Sequence, residues 1–197
     1  VSRNRDQDRL LKSNIFDHVF VHSDQCRKKI IENKWISKDK VSVMINGFDS
    51  NLHRKINVKK DIDLLFVGST LPRREKIFKH LRKHFDLEVR SAFGNEMVSL
   101  FNRSKIVLNI HAEDHLDTET RVFEALGSGA FLISEELSSE NPFIPNKHYV
   151  EVSDLDMMIE KIKYYLNNEA DRISIAENGF HEAINNHTYT KRAEQFA

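Results

Sequence analysis

Apolar and polar positions follow strand spacing and helical spacing by turns along most of the chain. His18-Val-Phe-Val-His22 predicts a strand, and Ser23-Asp24 supplies an N-cap for a helix reaching about Lys34. Val41-Ser-Val-Met-Ile45 predicts a second strand, ended by the turn signal Asn46-Gly47. Residues 48–60 are polar, carry Arg54, Lys55, Lys59 and Lys60, and read as a linker. A new unit opens at Asp61. Ile62-Asp-Leu-Leu-Phe-Val67 has the mostly apolar composition of a strand covered on both faces. Pro72 suits the first turn of a helix that places Ile77, Leu81 and Phe85 on one side. Strands follow at Leu87–Ser91, Lys105–Ile110 and Ala130–Ser134, separated by helices near 96–103 and 119–126. Ser153-Asp-Leu-Asp156 has the form of a capping box opening a helix whose apolar face is Leu155, Met158, Ile159, Ile162 and Leu166. Helical patterns at about 170–184 and 189–196 finish the chain, and no internal repeat is visible.

This alternation predicts an α/β protein: a Rossmann-like parallel sheet with right-handed crossovers and helices on both faces. In such sheets ligands bind beyond the carboxyl ends of the strands. The loops to watch are therefore Gly68–Arg74, Ala92–Asn95 and His111–Arg121.

Composition narrows the partners. A chain of 197 residues suits one domain, or one domain plus part of another, and can bury a core without disulfides or metals. Six Gly and three Pro exclude a collagenous or linker-rich protein. The one cysteine, Cys26, has no partner for an internal disulfide, which suggests a reducing, cytoplasmic setting and a buried thiol. No apolar run nears the roughly 18 residues that span a bilayer, and the N-terminus has no signal-peptide core. The sequence does not begin with Met, as expected of a piece of a longer chain. Lys/Arg and Asp/Glu balance at 30 each, yet residues 1–112 carry 23 basic against 13 acidic and residues 113–197 carry 7 against 17. The basic part could hold a phosphate or rest peripherally on the inner face of a membrane; alternatively the two halves neutralise each other. Basic residues are not interleaved with aromatics, so nucleic acid is not an expected partner.

Three segments could carry chemistry. Gly68-Ser-Thr-Leu-Pro-Arg-Arg74 lies between a strand and a helix, where glycine admits a ligand to the backbone and helix N–H groups face an anion. Arg73 and Arg74 could grip a phosphate bidentately, or they could be solvated arginines after an ordinary turn. The loop matches neither G-x-G-x-x-G nor G-x-x-x-x-G-K. In Asp117–Gly129, Glu119, Arg121 and Glu124 crowd a helix start, as ligands for sugar hydroxyls and phosphate or as capping charges. His111-Ala-Glu-Asp-His115 lacks the H-E-x-x-H arrangement and follows a strand, so no metal site is expected and His111 reads as a pocket wall.

Taken together, Val43-Met-Ile-Asn-Gly-Phe-Asp49, Phe66-Val-Gly-Ser-Thr-Leu-Pro-Arg-Arg74, Ser104–His111 and Arg121–Gly129 resemble the donor-binding half of a GT-B glycosyltransferase. They are similar to the "glycosyl transferases group 1" superfamily, near family 4 and its spore-maturation-protein-like branch, whose closing signature His187-Thr-Tyr-Thr-Lys-Arg192 also resembles. The resemblance runs over residues 15–197. It implies that residues 1–50 are the end of an acceptor-binding domain, 51–60 a linker, 61–186 the donor domain and 187–197 a C-terminal helix. It implies transfer of a sugar from a nucleoside-diphosphate sugar, without a metal or other cofactor, to a glycan or lipid-linked acceptor in cell-surface glycan or glycoconjugate synthesis. Glu124 takes the position of a ribose-binding glutamate, and Arg74 that of a lysine that neutralises the diphosphate, with Ser69 replacing an arginine. Gly68, Arg73, His111, Glu119 and Arg121 complete the implied donor site, while no catalytic residue is assigned. The family's first glutamate, eight positions before Glu124, is Leu116 here. A non-catalytic nucleotide-binding or regulatory module is the alternative; a receiver domain fits less well, because the first strand ends in Gly-Ser-Thr rather than an acidic cluster.

Overall fold

In the computed structural model residues 5–13, 15–113, 116 and 118–195 are described, with side chains from residue 8 onward. The chain divides into two compact units, residues 1–46 and 47–197.

In the first unit, helix α1 (Arg5–Lys12) is followed by strand β1 (Val19–Val21), helix α2 (Asp24–Glu32), a 3-10 turn at Lys38–Lys40 and strand β2 (Val41–Val43). The two strands are parallel, with Val19 opposite Val41. Ser23 caps α2 as expected, its side chain accepting from the Cys26 N–H at 3.3 Å. Cys26 is not buried: it sits in the first turn of a helix that buries only Ile30, with His22 Nε2 3.9 Å from its sulfur. Helix α1 has no counterpart among the elements expected from the sequence, because its one apolar pair, Leu10-Leu11, shows no period.

The second unit holds a parallel sheet of five strands in the order β4 (Leu87–Arg90), β3 (Ile62–Val67), β5 (Ser104–Asn109), β6 (Leu132–Glu135), β7 (Val150–Val152). The chain starts in β3, steps to one side and then crosses to the other. This places a topological switch beside the carboxyl end of β3. Apolar residues fill both faces, as the sequence required. Leu64 and Phe66 of β3 join Ile106, Leu108 and Ile133 in one core under α3 (Pro72–Leu81) and α6 (Leu155–Asn167). Leu65 and Val67 join Val107 and Leu132 in the other, under α4 (Gly94–Arg103), α5 (Thr120–Gly127) and α7 (Glu169–Asn186). Strand β7 is not foreseen by the sequence pattern, since three residues with Glu151 in the middle carry no usable period. The cap of α6 is Asp154, one residue beyond the expected Ser153, with its carboxylate accepting from the Met157 N–H at 2.8 Å.

Residues after Gly47 bind into this unit rather than hang free. Phe48 is fully buried, and its backbone pairs with His187 and Tyr189 at the start of α8 (Tyr189–Glu194). Gly127 accommodates the Phe48 ring: a Cβ there would lie 2.3 Å from it. Beyond that point, Ile56 donates its N–H to Asn102 Oδ1 at 2.6 Å. Among the described residues no helix is long and apolar enough to cross a membrane.

Candidate functional site

The residues singled out in the sequence gather at the carboxyl ends of β3 and β5. Gly68 follows β3 with φ of 148°, and a Cβ on it would sit 2.7 Å from Arg121 Nη2. Only glycine lets the Arg121 guanidinium lie against this turn. Arg121 also covers the Phe66 ring, 4.8 Å from its centroid, and donates to Asn109 Oδ1 at 2.9 Å and Glu119 Oε2 at 2.6 Å. Arg74, in the first turn of α3, is buried with 3% exposure. It donates from Nε to the Ile110 carbonyl at 2.9 Å, from Nη1 to the Ser69 carbonyl at 3.1 Å and from Nη2 to Glu119 Oε1 at 3.1 Å. Burial first, then the charge of Arg121, pull its pKa down, while Glu119 pulls it up. A guanidinium nevertheless stays cationic in a protein. Arg73 grips Glu135 bidentately at 2.9 and 2.7 Å and donates to the His111 carbonyl at 3.2 Å. Three guanidiniums thus meet two carboxylates, leaving one positive charge in excess.

A recess lies on either side of this cluster. The larger, about 320 Å³, is lined by Gly68 and Ser69 after β3, Ser91, Ala92 and Phe93 after β4, and Thr120, Arg121 and Glu124 of α5. That volume is within the range of small-molecule sites, about 300–1,000 Å³. The Phe93 ring stands at its rim, 82% exposed. The smaller recess, about 180 Å³, lies beyond β5 to β7, with Arg73, His111, Glu113, Glu135 and Ser153 among its walls. His111 is buried there: its N–H donates to Glu135 Oε2 at 2.7 Å and its Nε2–H donates to the Glu136 carbonyl at 2.7 Å. Its Nδ1 is then an acceptor, buried without a hydrogen-bond partner.

Glu124, one turn into α5, reaches the larger recess with 22% of its side chain exposed. Desolvation raises its pKa, and the charges of His53 and Arg121 act in the opposite sense. Its Oε1 lies 3.9 Å from Nε2 of the buried His53. Among the described residues there is no cluster of three His, Cys, Asp or Glu side chains that could hold a metal ion. Asp114, His115 and Asp117, which belong to the loop that the sequence marks for attention, lie outside the described residues.

Six of the eight positions selected from the sequence therefore line the two recesses, with Gly68, Ser69, Arg121 and Glu124 on the larger and Arg73 and His111 on the smaller. Arg74 and Glu119 line neither and are bonded to each other and to Ser69 and Arg121 beside them. The sequence pattern passes over His53, Asn109 and Glu135. Glu135 stands at a strand's carboxyl end, a signal that could have marked it; His53 sits in a segment with the character of a linker.

Comparison with known proteins places the chain in a family. The chain is 33% identical over 118 residues to an uncharacterised protein, R358, of Acanthamoeba polyphaga mimivirus, covering 57% of this chain and 42% of that one. Sucrose-phosphate synthase from Thermosynechococcus elongatus superposes with a TM-score of 0.69 at 14% identity, over 99% of this chain and 61% of that chain. The Anabaena protein HepE, solved in complex with UDP-glucose, superposes with a TM-score of 0.73 at 11% identity, over 97% of this chain and 65% of its own. The chain thus spans less than two thirds of these relatives. The GT-B resemblance seen in the sequence holds at the level of fold. Since the glycosyl transferase-like family matches residues 50–197, well over half of the sequence, the chain belongs to that family.

Proposed function

We propose that residues 47–197 form the donor site of a glycosyltransferase that moves a sugar from a nucleoside-diphosphate sugar to a hydroxyl acceptor. The observation that carries this reading is the convergence of the Gly68 turn, the Arg121 guanidinium and the Glu124 carboxyl on one recess at the sheet's switch point. HepE, of the same fold, is solved with UDP-glucose. Each part has a task. The Glu124 carboxylate accepts hydrogen bonds from the ribose hydroxyls. The backbone at Gly68 and Ser69 approaches the diphosphate, whose charge meets the excess positive charge of the Arg73, Arg74 and Arg121 cluster. Within that cluster Arg74 and Glu119 hold Ser69 and Arg121 in place, because the hydrogen bonds of Arg74 end on the protein itself. His111 and Arg73 border the smaller recess, where the sugar would lie.

Developing charge on the departing diphosphate is stabilised by fixed guanidiniums and by the uncapped first turn of α3, so the reading calls for no metal. Residues 1–46 would then be the end of an acceptor-binding domain, and the acceptor a glycan or lipid-linked hydroxyl. Leu116, where the family resemblance calls for a second glutamate, favours one rival: a nucleotide-binding module without turnover.

Isothermal titration with UDP, GDP and ADP and their sugar conjugates, with and without EDTA, tests the proposal. Selective binding of one diphosphate, unchanged by EDTA, supports it. Binding of none contradicts it, and binding without hydrolysis or transfer of the sugar favours the rival.

A further inference from the structure

His53 belongs to no part of the site as the sequence marks it, yet it is buried directly behind Glu124 with 5% exposure. Its Nδ1 lies 3.1 Å from the Asp49 carbonyl oxygen. A carbonyl can only accept, so Nδ1 carries the hydrogen and Nε2 presents a lone pair. That lone pair has no hydrogen-bond partner, and Nε2 lies 3.9 Å from Glu124 Oε1. A buried acceptor left unpaired costs about 1–3 kcal/mol, so Nε2 calls for a proton, which Glu124 delivers by closing the 3.9 Å gap to hydrogen-bond distance. The Phe48 and His53 rings meet edge to face with their centroids 6.1 Å apart.

We propose that His53 is the positioning residue for Glu124 and that the two share a single proton, which passes to His53 Nε2 when a ribose diol docks on the carboxylate. This rests on the donor-site reading of the recess. In the free protein the proton resides on the Glu124 carboxyl, and docking of the diol closes the 3.9 Å gap to the imidazole. A diol needs two acceptor oxygens, and a protonated carboxyl offers fewer. Transfer breaks the O–H bond of Glu124 and forms the N–H bond of His53, leaving a carboxylate beside an imidazolium with no change in total charge. The uncompensated alternative, a bare carboxylate in a half-buried recess, is the less favourable state. Burial already raises the Glu124 pKa, in keeping with a proton held there. The other groups acting on the pair are Arg121 from α5, and Tyr189 from α8, whose own pKa is raised first by burial and then by Glu124 and Asp49.

The test uses His53→Gln. Carbon-13 NMR of the Glu124 carboxyl in the free protein should show its midpoint shifting in the variant, because the partner that shares its proton is gone; an unchanged midpoint overturns the sharing. Titration with UDP, GDP and ADP between pH 5 and 8 supplies a reading that a purely structural histidine would not move. Wild type should hold its affinity to a lower pH, whereas His53→Gln should lose about tenfold per pH unit below the Glu124 midpoint. Parallel profiles overturn the proposal. If no diphosphate binds wild type while the Glu124 midpoint still moves, the donor reading falls and the shared proton stands. Should His53→Gln fail to fold, nitrogen-15 NMR of wild type decides: a hydrogen on Nδ1 of neutral His53 is expected, and one on Nε2 contradicts the mechanism.

Discussion

At the start of α5, Glu119 is held by two guanidiniums, 3.1 Å from Arg74 and 2.6 Å from Arg121. Just over one turn later, Glu124 faces an imidazole lone pair at 3.9 Å, beyond hydrogen-bond reach. One carboxyl belongs to the N-cap residue of this short helix and the other to a residue within it, and their surroundings give them opposite properties. Glu119 is paired with a guanidinium on each oxygen, so it can hold the turn after β3 and the start of α5 in register. Glu124 is partly desolvated and under-partnered, so a hydroxyl donor entering the recess supplies what the protein withholds. The difference separates carboxyls bound into the protein from one left open to the recess.

The most severe way to break the contrast is Arg74→Ala. It strands Glu119 with one guanidinium and leaves the Ile110 and Ser69 carbonyls without their donor. Removing one member of a buried pair costs about 3–5 kcal/mol, so a large fall in the urea midpoint is expected, together with a far larger loss of affinity for diphosphates than for nucleosides. Gly68→Ala comes next. A Cβ at φ of 148° would displace Arg121 Nη2 from 2.7 Å, and such backbone strain costs on the order of 1–3 kcal/mol. Thermal unfolding should show that loss, and titration should show weaker diphosphate binding.

Glu124→Gln sharpens the contrast by moving stability and binding in opposite directions. With its folded pKa raised above the ordinary 4.5, Glu124 binds its proton more tightly folded than unfolded. It therefore favours the fold at low pH and loses that contribution as pH rises from about 4.5 through the raised value. Gln should abolish this part of the decline between urea midpoints measured at pH 5 and pH 8, while impairing ribose recognition. Smallest is Arg73→Lys, which loses the bidentate grip on Glu135 but keeps a cation beside it at a partly exposed pair. Such pairs contribute up to about 1 kcal/mol, so stability should barely change.

The sheet was legible because its strands are buried on both faces, and runs such as Ile62–Val67 and Ile106–Ile110 admit few other readings. Short pieces were not: β7 is three residues long and α1 lacks a period, so tertiary pairing rather than local pattern forms them. At the site, glycines and charges at strand ends were enough to select Gly68, Arg74, Glu119, Arg121 and Glu124. The sequence could not show that Arg74 would be consumed by internal bonds while Glu124 stayed under-partnered, because those states depend on burial. His53 stayed hidden for another reason. It lies 71 positions from Glu124, in a polar stretch whose only ordering signal is Phe48, an aromatic that needs the Gly127 gap to dock.

The role of Glu124 is tested most directly by comparing ribonucleoside and 2′-deoxyribonucleoside diphosphates by calorimetry on wild type and Glu124→Gln. A carboxylate that reads the diol should favour the ribo form by about 10- to 100-fold in wild type, equivalent to about 1–3 kcal/mol of hydrogen bonding, and Gln should erase most of that preference. Equal discrimination in the two proteins would contradict the assignment of Glu124 as the ribose ligand.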